Sequence, residues 1–262
     1  MVTTLGAHSP KIEAVRELRT RKGRRSQGRF TFEGPTMLAE ALRSGVALES
    51  LFVTPAGRVE LQSLPVSPEV PVYEVPERAM ARLSDVESPP GIVGVVAQRI
   101  VPLPAALKKG YPVVLLAGVA DPGNAGTLLR SAEIFGFAAA IFGTDGVEPF
   151  NPKVVRASMG AIFRLDLCCA APAEVVSAAA EAGYTIVATS RAGTPLPSFS
   201  FVERSLIAVG NERHGVASWL PRWDQEVSIP HVGTGESLNA AAAGSILFYA
   251  FSQREGGPPK HP

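Results

Sequence analysis

The sequence predicts an α/β protein whose larger, C-terminal part is built on a parallel sheet. Three observations carry this. From Phe30 onward, apolar runs of strand length alternate with segments of helical spacing. Runs such as Val113 to Val119 and Leu206 to Val209 are apolar at nearly every position, as in strands buried on both faces. Several of these runs stop at loops of Gly, Asn, Asp and Pro, and ligands of parallel sheets bind beyond the carboxyl ends of strands.

A chain of 262 residues accommodates one or two domains, and 46% hydrophobic against 19% charged residues supports a large core. No apolar run reaches the length of a membrane span, and residues 1–20 lack the apolar stretch of a signal peptide. A cytoplasmic protein with no membrane partner is expected. Cys168 and Cys169 are adjacent, which suits neither a disulfide framework nor a metal site, and both read as core residues. No metal-ligand cluster is evident. Charge is uneven: residues 1–110 hold 15 Lys/Arg against 11 Asp/Glu, and residues 111–262 hold 10 against 13. The basic excess lies in the first 30 residues, including Arg21, Lys22, Arg24, Arg25 and Arg29. Such a patch is either a solvated tail or a contact for nucleic-acid phosphates.

In chain order, 1–28 reads as a basic segment, helical over Lys11 to Thr20 and otherwise loose. Residues 29–100 read as a small α/β domain. Pro35 to Arg43 has helical spacing with Pro at its start, Leu48 to Val53 and Val70 to Val75 read as strands, Pro76 to Ser84 as a helix, and Ile92 to Ala97 as a strand. Residues 101–110, with two prolines, two lysines and a glycine, read as a linker. The second domain, 111–255, opens with the strand from Val113, the turn Asp121-Pro122-Gly123-Asn124 and a helix over Ala125 to Phe135. Ala138 to Phe142, Tyr184 to Thr189, Leu206 to Val209 and Val227 to Ile229 are its further strands. Asn151 to Gly160 and Ala173 to Ala182 are its helices. Residues 256–262 read as a disordered tail.

The last helix is the most informative. From Ala240 to Phe251 it is apolar on every side, so it should be buried against the core or a partner subunit. Ser237 and Asn239 stand at its mouth. They either cap the helix or hold a ligand.

Three motifs follow three strands. Asn124, Gly126 and Arg130 form N-x-G-x-x-x-R. Gly210, Asn211, Glu212 and Gly215 form G-N-E-x-x-G. Ile229, Pro230, Gly233, Ser237, Leu238 and Asn239 form I-P-x-x-G-x-x-x-S-L-N. Singly, each is weak: Asn124 suits a helix cap and Arg130 a surface position. There is no P-loop and no dinucleotide fingerprint. In this order, and with Asn151 to Gly160 between the first two, they resemble the SpoU (TrmH) family of RNA ribose 2′-O-methyltransferases of the SPOUT superfamily. Residues 28–98 resemble that family's substrate-binding domain, similar to ribosomal protein L30e, through Phe32-Glu33-Gly34 and Ser88-Pro89-Pro90-Gly91-Ile92-Val93.

The resemblance implies a catalytic domain with a C-terminal trefoil knot, a homodimer, and S-adenosylmethionine (SAM) as methyl donor without a metal. It places SAM against Gly210, Ile229 and Leu238, with Thr189, Pro230 and Gly233 in the adjoining loops. It gives Arg130, Glu212, Ser237, Asn239 and Asn124 the catalytic work. A guanidinium is a poor base, so either Arg130 stabilises the developing alkoxide and Glu212 takes the proton, or Glu212 orients Arg130. RNA would lie on Arg21, Lys22, Arg24, Arg25, Arg29 and Arg156. The N-terminal domain favours ribosomal RNA. A tRNA methyltransferase, or a SAM-binding RNA assembly factor without activity, are the alternatives. Phe30, Phe32 and Tyr73 are either core or base-stacking groups, and His214 and His231 either loop or catalytic histidines.

Overall fold

The computed structural model describes residues 2–211, 214–234 and 237–254. The chain divides into two compact units, Met1–Gln98 with Phe150–Phe163, and Arg99–Pro149 with Arg164–Pro262.

The first unit runs β1 (Val2–Thr4), α1 (Pro10–Glu17), α2 (Arg21–Gln27), β2 (Arg29–Glu33), α3 (Pro35–Arg43), β3 (Leu48–Val53), α4 (Pro55–Leu61), β4 (Val72–Glu74), α5 (Glu77–Leu83) and β5 (Ile92–Ala97). Its sheet has the order β1-β4-β3-β5-β2. β1, β4 and β3 are parallel, and β5 is antiparallel to both β3 and β2. Proline opens α1, α3 and α4, where its missing N–H costs nothing.

Within 1–28 the expected helix is present as α1, and the stretch after it, expected to be loose, forms α2. Residues Ile12, Val15 and Leu18 are spaced to share one helical face, and they are buried with Phe52, Met80 and Val93. Thr20 caps α2 by accepting from the Gly23 N–H at 3.0 Å. Phe30 and Phe32 of β2 are 3% and 1% exposed, which makes them core and not base-stacking groups. Tyr73 packs on Phe52, with ring centroids 5.2 Å apart.

The second unit begins with α6 (Leu103–Lys108), β6 (Val113–Ala117), α7 (Pro122–Ile134) and β7 (Ala139–Gly143). α8 (Pro152–Ala157) and most of α9 (Ala161–Arg164) then belong to the first unit, where Phe150 and Phe163 stack on Phe30 at 4.6 and 6.3 Å. The chain returns through β8 (Asp166–Ala170), α10 (Pro172–Glu181), β9 (Thr185–Pro195), β10 (Ser205–Gly210), β11 (Gln225–Ser228) and α11 (Ala240–Ser252). The sheet order is β11-β9-β10-β6-β7-β8, and every neighbouring pair is parallel.

Two sequence expectations, the linker and Cys169 as a core residue, are corrected in this unit. The stretch read as a linker is the helix α6. Its two prolines fall at the N-cap and in the first turn, and Leu103, Ala106 and Leu107 join the core. Asp166, whose side chain is 8% exposed, pins both flanks of α6 by ion pairs to Arg99 (2.9 Å) and Lys109 (2.5 Å). β8 was not recognised in the sequence. Its Cys168 is buried, and burial above all, then the Asp166 and Cys169 charges, pushes that thiol up to about 12, whereas Cys169 is exposed. The last helix, expected to be buried against the core or a partner subunit, is buried on one side within the chain. Leu247, Phe248 and Phe251 are fully buried, each contributing about 1.5–3 kcal/mol of transfer free energy. Ile246 and Tyr249 remain 38% and 54% exposed. α11 packs closely on α7 because Gly244 has no side chain: a Cβ there would lie 2.2 Å from Leu128 Cδ2. The tail 256–262 falls outside the described residues.

In the first sheet, Phe32 lies across Gly94 of the paired strand, where a Cβ would come within 2.2 Å of the ring. Gly94→Val should therefore displace the ring and destabilise the chain by about 1–3 kcal/mol. Chemical denaturation measures this, and an unchanged midpoint would show that Phe32 is not packed there.

Candidate active site

The loops after β6, β9, β10 and β11 leave the same edge of the parallel sheet. The last three, with the start of α11, enclose a cavity of about 800 Å³. Eight residues named in the sequence as motif or cofactor positions line it: Thr189, Gly210, Asn211, Gly215, Ile229, Pro230, Ser237 and Leu238. Gly210 has a second reason to be glycine. A Cβ there would sit 2.2 Å from the backbone of Gly215 and Val216, so only glycine lets the loop after β10 fold back on the strand end. Gly233 is not part of the lining, and a Cβ on it would meet nothing within 4 Å.

Outside the cavity wall, two asparagines join the first and third motifs. Asn239 is the N-cap of α11, and its Oδ1 accepts from the N–H groups of Ala241 (2.9 Å) and Ala242 (3.2 Å). That fixes the orientation of the amide. Its Nδ2 must face away from the helix, and it donates to Asn124 Oδ1 at 2.9 Å. Asn124 is not the cap of α7. Asp121 takes that role, its carboxylate accepting from the Asn124 N–H at 2.7 Å, so the helix starts three residues before the expected Ala125. A further bond between Ser131 and Ser245 hydroxyls, 2.7 Å, ties the same two helices together. The motif-two loop is tied in by Asn211, whose Nδ2 donates to the Gly118 carbonyl beyond β6 at 3.2 Å.

Arg130 is exposed on α7 and makes no hydrogen bond or ion pair among the described residues. The single chain does not bring it to the cavity wall. Glu212 lies outside the described residues. Of the residues expected to meet RNA, Arg21, Lys22, Arg25, Arg29 and Arg156 are exposed. Arg24 is a correction. It is 3% exposed, and its guanidinium donates to the carbonyls of Leu18 (2.7 Å) and Arg19 (2.9 Å), closing the turn between α1 and α2. Burial pulls its pKa down from the usual arginine value. Arg29 pairs with Glu49 at 2.5 Å.

The cavity also has members that sequence reasoning did not mark. Arg191, Trp223 and Glu226 line it, as do His214 and His231, which the sequence left open between loop and catalytic roles. The available signal was the polar run Ser190-Arg191 inside an otherwise apolar strand. The pairing of β11 with β9 jumps from Glu226↔Ala188 to Val227↔Thr194, so residues 189–193 swing out of the ladder toward the cavity.

The wall suits a nucleoside-sized ligand. It is mainly apolar side chain and backbone with a few polar groups, and its volume lies within the usual range for cofactor sites. No group of three His, Cys, Asp or Glu that could hold a metal is present among the described residues.

The model of the SpoU rRNA Methylase family matches residues 111–249, more than half of the chain, and that of an MRM3-like substrate binding domain matches residues 9–94. The second match starts well before the expected boundary at 29, in keeping with the packing of α1 and α2. The 23S rRNA (guanosine(2553)-2′-O)-methyltransferase RlmP of Bacillus subtilis is 29% identical, over 93% of this chain and 96% of its own length. The crystal structure of an AdoMet-bound rRNA methyltransferase from Sinorhizobium meliloti superposes with a TM-score of 0.83 at 27% identity, over 95% of this chain and 97% of that one. The SpoU methyltransferase AviRb from Streptomyces viridochromogenes, in complex with AdoMet, gives 0.82 at 26% identity, over 93% and 97%. With the strand-end cavity and the three motifs in place, the chain belongs to the SpoU rRNA methylase family and is a SAM-dependent RNA 2′-O-methyltransferase.

Proposed function

We propose that this chain methylates a ribose 2′-hydroxyl of ribosomal RNA, with SAM held in the cavity at the ends of β9, β10 and β11. The observation that carries the reading is the coincidence of that cavity with the second and third motifs. The ribosomal target rests on the relatives named above and on the match of residues 9–94 to a substrate-binding domain.

Gly210, Ile229 and Leu238 would hold SAM, with Thr189 and Pro230 beside them and Gly233 in the loop that closes the site. Bound SAM supplies a methyl made electrophilic by the sulfonium charge, so the chain's own task is to place the hydroxyl and manage its proton. Positioning in a dry site contributes several kcal/mol. Asn239 and Asn124 act as one unit: the helix cap orients the first amide, which orients the second toward the ribose. Ser237 stands at the rim of the cavity. Arg130 stabilises the alkoxide as it forms, and Glu212 accepts the proton or orients Arg130. Arg21, Lys22, Arg25, Arg29 and Arg156 provide exposed positive charge for the RNA backbone.

The same reading includes a homodimer. α7 and α11 leave Ile134 63%, Ile246 38% and Tyr249 54% exposed, and Arg130 lies one turn from Ile134 on the exposed face of α7. A second copy on this face would cover the apolar side chains and enclose Arg130. The trefoil knot also belongs to this reading. β11 adds at the far side of β9, while α11 comes back to α7 and β10, a return that supports a threaded C-terminal segment. No helix among the described residues is long and apolar enough to cross a membrane.

Undermodified ribosomal RNA given labelled SAM should acquire one nuclease-resistant 2′-O-methyl dinucleotide. Transfer to tRNA alone would overturn the assignment of substrate. Arg130→Ala should lower the single-turnover rate by about 10²–10³-fold with SAM affinity kept, and unchanged methylation would remove Arg130 from the chemistry. Asn239→Ala should cost about 1 kcal/mol of stability as a lost cap and a larger share of activity, whereas Asn239→Asp restores the cap alone. Tyr249→Glu should convert dimer to monomer in light scattering, and a wild-type monomer at micromolar concentration would refute the dimer.

A further inference from the structure

The cavity lining includes a carboxylate, Glu226, that forms no ion pair among the described residues although Arg191 lines the same cavity. Glu226, in β11, is half-buried. Its Oε1 accepts from the Trp223 indole N–H at 2.8 Å. Half-buried charges without a counter-charge are costly, and proteins keep them where something else supplies the opposite sign. The backbone under Glu226 is also closely held. Gly193, in the segment that swings out of β9, lies so near that a Cβ would fall 2.6 Å from the Glu226 carbonyl carbon. Ser228 Oγ donates to the Gly193 carbonyl at 2.8 Å and fastens the same contact. A tethered side chain on a clamped backbone is a preorganised anion, in a cavity lining whose ionisable members are otherwise Arg191 and two histidines.

We propose that Glu226 is the counter-charge for the cationic half of the methyl donor, held in place by Trp223. This rests on the methyltransferase reading and goes beyond it by naming the side chain that reads the donor's charge. SAM carries two cationic groups, the sulfonium and the α-ammonium, and both belong to the same end of the molecule. The adenosine end is neutral and gains nothing from a carboxylate's charge. Glu226 is therefore a specificity-determining residue that separates the charged donor from uncharged adenosine thioethers. Trp223 is a positioning residue, because it occupies one carboxylate oxygen and fixes where the other points.

The test is direct binding, measured by calorimetry on the full-length protein without RNA. Three ligands are compared: SAM, S-adenosylhomocysteine (ammonium kept, sulfonium lost) and 5′-methylthioadenosine (both lost). Glu226→Gln keeps an acceptor for Trp223 and removes only the charge. It should weaken SAM about tenfold, the size of one charge-assisted hydrogen bond in a half-exposed site, with methylthioadenosine unchanged. Equal loss on SAM and S-adenosylhomocysteine assigns the ammonium, and loss on SAM alone assigns the sulfonium; either supports the proposal. Trp223→Phe should give a smaller loss with the same pattern. Unchanged SAM affinity in Glu226→Gln would overturn the proposal. So would an equal loss on all three ligands, the result expected of a ribose contact or of a damaged cavity. A wild-type protein that binds none of the three overturns the methyltransferase reading itself, and is thereby told apart from a failure of Glu226 alone.

Discussion

Every strand of the second sheet points the same way, and this constraint governs where chemistry can be placed. In a parallel sheet all carboxyl ends share one edge, so the loops after β6, β9, β10 and β11 are neighbours in space although they are spread over a hundred residues of sequence. β11 and β6 stand three strand spacings apart, roughly 14 Å. A ligand lodged at β9, β10 and β11 thus lies beside the start of α7 and α11, where the asparagine pair sits. The sheet also explains the glycines. At Gly210 and Gly193 one backbone presses on another, and any side chain would force the strand ends apart.

The asparagine pair shows how little freedom the local structure leaves to the functional groups. Asn239 has one acceptor and two donor hydrogens. The first turn of α11 takes the acceptor, because its N–H groups have no other partner. The donor side is then forced toward Asn124. A group that sequence reading could assign either to a cap or to a catalytic role is shown as a cap, and the cap fixes the geometry that the proposed catalytic role would use. The two roles are compatible in one side chain.

Much of the second unit could be read from the chain because its strands are buried on both faces and its turns carry Gly, Pro, Asn or Asp. The spans at β3, β5 and α3 follow the same logic in the first unit. What was not legible has specific causes. β8 is five residues long, begins with the charged Asp166 and contains two cysteines, so its composition gave no β-branched signal. The α6 stretch reads as a linker because prolines signal a break, whereas at the N-cap and in the first turn they are compatible with a helix start. Arg24 looked like its basic neighbours. Only the fold reveals that it points inward to two carbonyls, since a seven-residue helix with one buried face must bury whatever falls on it. Within the site, the backbone-lined positions were identifiable through motif spacing. Glu226 and Arg191 belong to no motif, and only the register jump in β9 brings them to the cavity.

The apolar character of the final helix needs two explanations, one per face. Toward the sheet, Gly244, Leu247, Phe248 and Phe251 build the contact with α7 and β10. On the outer face Tyr249 meets the ring of Phe135 edge-on at 5.8 Å yet stays 54% exposed, and Ile246 and the Ile134 of α7 are exposed as well. A contact between two identical copies is self-complementary, so a patch shared by two packed helices is repeated on the partner. Arg130 is an exposed cation beside this patch, and a guanidinium loses its water when such a face closes. In the dimer proposed above, its interaction with a developing oxyanion would be far stronger than on an open helix. The arginine that one chain leaves in solvent would then reach its working environment only on association, and the apolar area holding two subunits together would also raise catalytic power.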